Sequence, residues 1–505
     1  MKYNTYINSD PADLSKMLRE NAKTPLINTM RDYYQGVQWD LSNSAFMQGE
    51  TRYTRSGKEM WKSFDENKSR GLTAGELKVW NAIKASIDLY ARYTRGDEAD
   101  DISIRVKQNG KVDEALSKEI ENIFWELNNW AISTTTQMSI DSVAVIKYKQ
   151  VEGDVMNVMR MTDTNTGATI VNVDARTICP IYFEGMVRGV INYYYIDKAD
   201  AKELTGKTHR KDAMYWEVYM IEDNGAISLK KYIENEIIEE LVTEHKVLPF
   251  VIMPNAKHPF KNYSLHSIEV SDVEDLIDIQ DDINAYLTDL GIILRKVAIP
   301  MLKATDDFIQ KASAGDIEKV KKTFSKISTM AGQILFAPIE RVQGGDVGTG
   351  TIQYLEELKN QLYTITSIPK SVFNSEGLGN ISAKTLEYLY TSLAKKVGEK
   401  RTKITEIIRS IAYIHMLETD RPINDLEVDV IFPPMLGQTR SERSEILIAG
   451  DSMEVLPKEY LTEQYAEMLG DAEKVEEIKG QLNETNVKRK QEVETIIARN
   501  GLSSI

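Results

Sequence analysis

A single cysteine, Cys179, occurs in 505 residues. No intrachain disulfide can form, and no zinc site built on clustered thiolates is available. The chain is therefore expected to fold in a reducing compartment, with Cys179 as a small core residue. Long apolar runs are missing as well. The most apolar stretch, residues 290–302, is interrupted by Arg295 and Lys296 and falls short of the about 20 residues that a bilayer span needs. The opening residues, MKYNTYINSDPADL, hold no apolar segment of the kind a secretion signal requires. Nor is there an excess of positive charge: 62 Lys and Arg stand against 77 Asp and Glu, for a net −15. Such a chain repels phosphates, which argues against an electrostatic grip on nucleic acid but not against DNA passing nearby.

A catalytic constellation is also lacking. The five histidines (His209, His245, His258, His266 and His415) are scattered, and none sits in a metal-ligand spacing. His258 and His266 flank a turn, too little for a metal site. Thr205-Gly206-Lys207-Thr208 has the ending of a phosphate-binding loop, but Ala201 stands where the required glycine should be. It is expected to be an exposed turn. The glycine-rich stretch 344–350 lacks nucleotide-binding spacing and is read as a flexible connector. No catalytic, cofactor-binding or metal-ligating residues are expected.

Periodicity is what the chain does have. Helical spacing is expected over 13–21, 26–36 and 80–93, the last ending near Gly96, and over 116–144. Tyr33, Tyr34 and Trp39 should anchor the N-terminal segment on the main body. Short β-branched and aromatic runs follow at 143–149, 155–161, 170–173, 177–182, 189–196, 215–221, 228–233 and 251–253, which predict an antiparallel, meander-like sheet. Beyond Pro259 helices dominate. Val273, Leu276, Ile279, Ile283, Leu287, Leu290 and Leu294 step by three or four, giving a helix over about 268–294. Strands at 298–304 and 333–339 flank a charged helix at 316–326, and another helix covers 352–367. Gly377, Gly379 and Asn380 break the chain before Ser382, a plausible N-cap for a helix reaching Leu417. Its stripe is Leu386, Leu389, Leu393, Val397, Ile404, Ile408, Ile411 and Ile414. A last strand at 428–432 and a charged helical region at 460–482 complete an α+β chain without internal repeats.

Two charge clusters stand out. Glu269, Asp272, Glu274, Asp275, Asp278, Asp281, Asp282 and Asp289 form a run without lysine or arginine. It is read either as a solvated helix face or as the lining of a water-filled space in which anions slide rather than stick. One helix cannot converge carboxylates on a metal pair. Lys395, Lys396, Lys400, Arg401 and Lys403 form a basic cluster midway along the long helix, suited to phosphates or to acidic neighbours in another subunit.

Several segments taken in order resemble a known family. They are Asn81-Ala-Ile-Lys-Ala-Ser-Ile-Asp-Leu-Tyr90 followed by Gly96-Asp97, then Val173-Asp-Ala-Arg-Thr-Ile-Cys-Pro-Ile-Tyr182, and Arg188–Tyr195. Leu248-Pro249-Phe250, Ser271-Asp-Val-Glu-Asp-Leu-Ile-Asp278 with Asn284, and the loop Gly379-Asn-Ile-Ser382 follow. Over roughly 75–470 the chain resembles the portal (head–tail connector) proteins of tailed double-stranded DNA bacteriophages. The resemblance implies a non-enzymatic subunit with an α/β wing, long stem helices, a small α/β clip, a tunnel loop and a helical crown, assembled in a ring of about twelve copies. Its parts would be an N-terminal region and wing at 1–265, stem helices at 266–294 and 351–366, and a clip at 295–350. The tunnel loop would be 367–381, a long helix with a wing return 382–440, and the crown 441–505. It implies Asp275, Asp278, Asp282 and Asp289 as channel-lining residues, with each stem helix burying its apolar stripe against neighbouring subunits. Lys370, Asn374, Ser375, Glu376, Gly377, Gly379 and Asn380 would belong to the tunnel loop, Lys370 as its only cation. The implied partners are further copies of the chain, a packaging terminase (ATPase), a head–tail adaptor and a major capsid or scaffolding protein. Double-stranded DNA would pass without sequence specificity during packaging and ejection, and no membrane is involved. The implied location is the portal vertex of the virion capsid, with assembly in the host cytoplasm. The rival readings are a metal-dependent enzyme acting on nucleotides or nucleic acid, with the acidic run as ligands, and a non-viral scaffold with long helices.

Overall fold

The computed structural model describes residues 23–37, 79–96, 101–150, 167–183, 186–208, 211–256, 270–298, 301–304, 339–342, 349–373 and 383–435. The chain divides into two compact units, Met1–Arg95 with Asp101–Phe432, and Gly96–Asp100 with Pro433–Ile505. Of the second, only Gly96 and residues 433–435 are among the described residues. All the regular elements described belong to the first.

Helices α1 (Lys23–Gln35) and α2 (Ala82–Arg95) come first. Tyr33 is buried, and Tyr34 donates its hydroxyl to Asp88 at 2.6 Å, so these two tyrosines do anchor the segment; Trp39 lies outside the described residues, as do 13–21. Strands β1 (Ser103–Gln108) and β2 (Lys111–Val112) form a tight hairpin over Asn109 (φ 53°) and Gly110 (φ 75°), the left-handed pair that a two-residue turn demands. The helix expected over 116–144 is two helices, α3 (Glu114–Ile123) and α4 (Leu127–Asp141). Asp113 caps α3 by accepting from Leu116 N at 2.9 Å, and the chain breaks at Glu126 (φ 54°), where Phe124 turns in against Trp130. A break that an apolar stripe spans is invisible to periodicity.

The single sheet expected from the strand runs is also divided. Strands β3 (Val143–Gln150), β4 (Ala168–Val173) and, later, β10 (Phe250–Pro254) form one sheet in the order β10-β3-β4. Strands β5 (Ile178–Phe183) and β6 (Met186–Ile196), a short helix α5 (Lys198–Thr205), and strands β7 (Ala213–Ile221), β8 (Ile227–Ile233) and β9 (Glu236–Val242) give a five-stranded antiparallel meander. The expected strand at 155–161 lies outside the described residues. Strand β9, EIIEELV, gives no strand signal in the sequence because it is a charged edge. Its glutamates meet lysines on β8, Lys230–Glu240 at 2.8 Å and Lys231–Glu239 at 2.6 Å. Cys179 is in the core of this sheet, beside Ile181, Ile191, Tyr193 and Trp216.

Gly189 of β6 is paired with Met220 of β7, and a Cβ on it would lie 2.2 Å from Met220 Sδ and 2.7 Å from the Tyr219 carbonyl oxygen. Gly189→Ala is therefore expected to cost about 1–3 kcal/mol of stability through overpacking. Equilibrium urea unfolding checks this, and an unchanged midpoint would show that the sheet yields freely there.

The second half begins with a 3₁₀ turn, Glu274–Leu276, and then α6 (Ile277–Ala298). This helix starts later than expected from its stripe, and the reason is local. The Ser271 hydroxyl lies 2.7 and 2.8 Å from the carbonyls of Ser139 and Ile140, and Asp272 N donates to the Ser139 carbonyl at 2.9 Å. These contacts hold 271–272 on the end of α4 and out of the helix. Strands β11 (Met301–Ala304) and β12 (Ile339–Val342) pair antiparallel. Residues 305–338, including the expected helix at 316–326 and most of the expected strand at 333–339, lie outside the described residues. Helix α7 (Thr349–Thr366) takes in Gly350, the end of the glycine-rich stretch. A helical turn α8 (Lys370–Phe373), the long helix α9 (Ala383–Glu418) and strand β13 (Leu426–Ile431) follow. At about 1.5 Å per residue α9 is about 54 Å long. Val397, Ile404, Ile408 and Ile411 of its stripe are each at most 1% exposed. Its second half runs through a core shared with α3, β1, β3 and β13. Strand β13 joins β1 along the order β13-β1-β2, so the chain closes on its own beginning.

Candidate functional site

The acidic run does not present one face; helical geometry sorts it. Asp275, Asp278, Asp282 and Asp289 are all exposed, and their spacing of three, four and seven keeps them on one stripe from the 3₁₀ turn into α6. Asp281 points the other way. It is 2% exposed and accepts the Tyr33 hydroxyl of α1. Asp272 is turned inward too, between Lys400 Nζ at 2.5 Å and Lys396 Nζ at 2.8 Å. Burial alone would raise the Asp272 carboxyl; the two ammonium groups outweigh it and hold this group well below the ordinary carboxylate range. Glu269 lies outside the described residues.

Opposite the acidic stripe, α6 is packed within its own chain. Ile279 and Ile283 meet Leu355, Leu358 and Leu362 of α7 together with Ala82 of α2, with Leu287 and Trp80 at the margin. This corrects the expectation that the apolar stripe is buried against neighbouring subunits: over these turns it is already covered. Two amides then fix α6 to α2. Gln280 Oε1 accepts from Ala82 N at 3.1 Å, and Asn284 Oδ1 accepts from Trp80 N at 2.9 Å and from Gln280 Nε2 at 3.0 Å. They satisfy backbone donors that the first turn of α2 leaves open. At the other end of the pair, the Tyr90 hydroxyl of α2 donates to the Thr366 carbonyl, where α7 ends.

After Ser367 (φ 59°) the chain enters the helical turn α8. Lys370, the only cation of 367–381, is paired: its Nζ lies 3.6 Å from Glu356 Oε2 of α7, and Glu356 also pairs with Lys359 at 3.0 Å. Asn374, Ser375, Glu376, Gly377, Gly379 and Asn380 lie outside the described residues.

The basic cluster of α9 is also mostly engaged within the chain, which corrects both of its expected uses. Lys396 and Lys400 are spent on Asp272. Arg401 donates to the Thr94 and Tyr93 carbonyls, each at 3.0 Å, and so caps the C-terminus of α2. Lys403 is half-buried, and Lys395 is exposed. Thr205–Thr208 is a turn as expected: Gly206 (φ 69°) ends α5, and Lys207 pairs with Glu236 at 2.6 Å. Among the described residues no His, Cys, Asp or Glu cluster is placed to hold a metal ion, and no helix is long and apolar enough to cross a membrane.

Sequence reasoning missed the role of α1. Arg31 bridges Asp141 Oδ2 at 2.5 Å and Asp174 Oδ1 at 2.9 Å, while Tyr33 reaches Asp281, so one short helix touches α4, the segment before β5 and α6. Tyrosine spacing was the available signal; nothing local marked Arg31.

With this geometry in hand, comparison with protein-family models gives one described as "Phage portal protein, SPP1 Gp6-like", which matches residues 79–488. The chain belongs to this portal family. The match takes in the acidic stripe, both packed helices α6 and α7, and all of α9, while α1 lies ahead of it. Among solved structures, the portal chain is similar to one titled "Neck of empty GTA particle computed with C6 symmetry". Identity is 8%, coverage 76% of this chain and 88% of that one, and the TM-score 0.39. Comparison with curated proteins gives no match.

Proposed function

We propose that this portal chain is the subunit of a closed ring, of about twelve copies, at one capsid vertex, and that double-stranded DNA enters and leaves through the bore. In this reading α6 and α7 are the stem, β11 and β12 lie in the clip, and 367–381 is the tunnel loop. Residues 1–265 with the second half of α9 form the wing, and 441–505 the crown. The ring carries no catalytic activity. It docks the packaging ATPase during filling and a head–tail adaptor afterwards, and it contacts capsid or scaffolding protein in the virion and during assembly in the host cytoplasm.

The observation that carries the reading is the division of labour on α6. One face is packed against α7 and α2, and the exposed stripe holds four carboxylates. Packing fixes the helix; the exposed stripe repels phosphates, so DNA can slide without sticking. Electron microscopy of the purified particle tests it. The expected image is a ring with an axial opening and the Asp278 stripe of each copy facing it. A monomer or dimer at all concentrations, or a ring with that stripe on its outer surface, would end the reading.

A further inference from the structure

No short connection ties helix α1 to the body it packs on. Residues 38–78 lie between it and α2, where packed helices are usually joined by roughly 2–8 residues. It also lies ahead of the residues 79–488 that match the portal family. A helix of 13 residues is marginal by itself in water, so α1 owes its helical form to docking. The docked face is Ile27, Met30 and Tyr33, each at most 2% exposed. Met30 and Tyr33 share one cluster with Ile83 and Ile87 of α2, Ile140 of α4, and Val273 and Leu276 at the 3₁₀ turn that opens α6. Polar ties follow the same path: Arg31 to Asp141 and Asp174, Tyr34 to Asp88, and Tyr33 to Asp281 of α6.

We propose that α1 is a detachable latch on α6: it undocks while the rest of the fold stays formed, and its release loosens residues 273–281. The stretch lies between two anchors that do not involve α1. Before it, Ser271 is held on the Ser139 and Ile140 carbonyls, and Asp272 between Lys396 and Lys400. After it, Ile283 packs on α7 and Asn284 is fixed to Trp80 N. Between the anchors the chain passes through a 3₁₀ turn, a form with poorer hydrogen-bond geometry that recurs at hinges. Undocking does not strand two bare carboxylates either, because Asp174 keeps Arg176 at 2.6 Å.

The location gives the latch a use. Asp275 and Asp278, the first two carboxylates of the exposed stripe, lie in the stretch that α1 covers from behind. Docked, α1 fixes where they stand; undocked, it lets the start of the stripe move while the α6–α7 contact holds the remainder. This use rests on the portal reading; the latch does not, and its measurement involves neither ring nor DNA.

Amide hydrogen exchange of the purified full chain, read by mass spectrometry, is the test. In the wild type, peptides covering 23–35 and 273–281 should exchange about 100-fold or more faster than those covering 404–411 in α9, the mark of a local opening. Both segments should lose protection over the same range of added urea, since one event exposes them. Arg31→Ala combined with Tyr33→Phe should lower the protection of both by one common factor, about tenfold or more, and leave 404–411 unchanged. Wild-type α1 protected as strongly as 404–411 overturns the proposal, and so does α1 opening without 273–281. A double variant that loses protection throughout, or fails to fold, overturns it as well, because α1 would then be part of the global fold.

Discussion

Asp272→Ala is expected to lower the unfolding free energy by about 3–5 kcal/mol, the range for removing one partner of a buried ion pair. The Asp272 side chain is 7% exposed and that of Lys400 2%, so alanine leaves an ammonium group in the interior without a counter-charge. The same carboxylate is the only described acid against which Lys396 is paired, so a second cation loses its partner at once. The position also ties three elements: α9, the entry to α6 and, through Ser139, the end of α4. The pH dependence follows from the sign of the shift. A carboxyl held below its unfolded value, about 3.9, contributes stability that is complete above that pH. That stability is lost as acid protonates the folded state. Urea unfolding at neutral pH and again in acid checks both parts. Asp278→Ala is the control; on the exposed stripe it should change stability by no more than about 0.5 kcal/mol. A loss at Asp272 as small as that would mean that the lysines find water or other partners.

The second large effect concerns the stripe itself. Replacing Asp275, Asp278, Asp282 and Asp289 together by lysine should leave the fold intact, because all four are exposed and the α6–α7 contact uses other residues. In the assembled ring it should turn a repelling wall into an adhesive one. Wild-type particles are expected to show no binding of short duplex DNA at low salt. The variant should bind, with affinity falling by roughly 10³-fold or more between 50 and 200 mM salt, the mark of several phosphate contacts per duplex. Packaging should stall with it. A variant as indifferent to DNA as the wild type would place these carboxylates away from the bore.

How much of this was legible beforehand varies with the kind of signal. The long helix was expected over 382–417 and is found at Ala383–Glu418, because thirty-odd residues of regular apolar spacing average out local noise. The strands of the meander were legible for a similar reason: β-branched and aromatic runs lie between turn residues. Strand β1, SIRVKQ, was not. Its partner β13 is more than 300 positions away in sequence, Gln108 opposite Leu426 and Ser103 opposite Ile431, and nothing local announces a pairing at that distance. The acidic run shows both sides at once. Its composition pointed to an acidic helix face, and the family resemblance named the four aspartates found exposed, yet neither gave a sign that Asp272 and Asp281 face inward. That was decided by Lys400 and Tyr33, which lie far along the chain in opposite directions.

By itself, then, the sequence determined the elements with strong periods and the charge balance. These depend on neighbours within a turn or two of helix, or a few residues of strand, and such neighbours are written side by side. Only the tertiary structure decided which like-charged residues are buried and which are exposed, that α6 covers its own apolar face with α7, and that α1 ties α4 to α6. It also set the buried Lys400 against both Asn255 and Asp272. Those outcomes depend on which distant surfaces meet, and the free energy of a contact is set by burial and by partners that no local window contains.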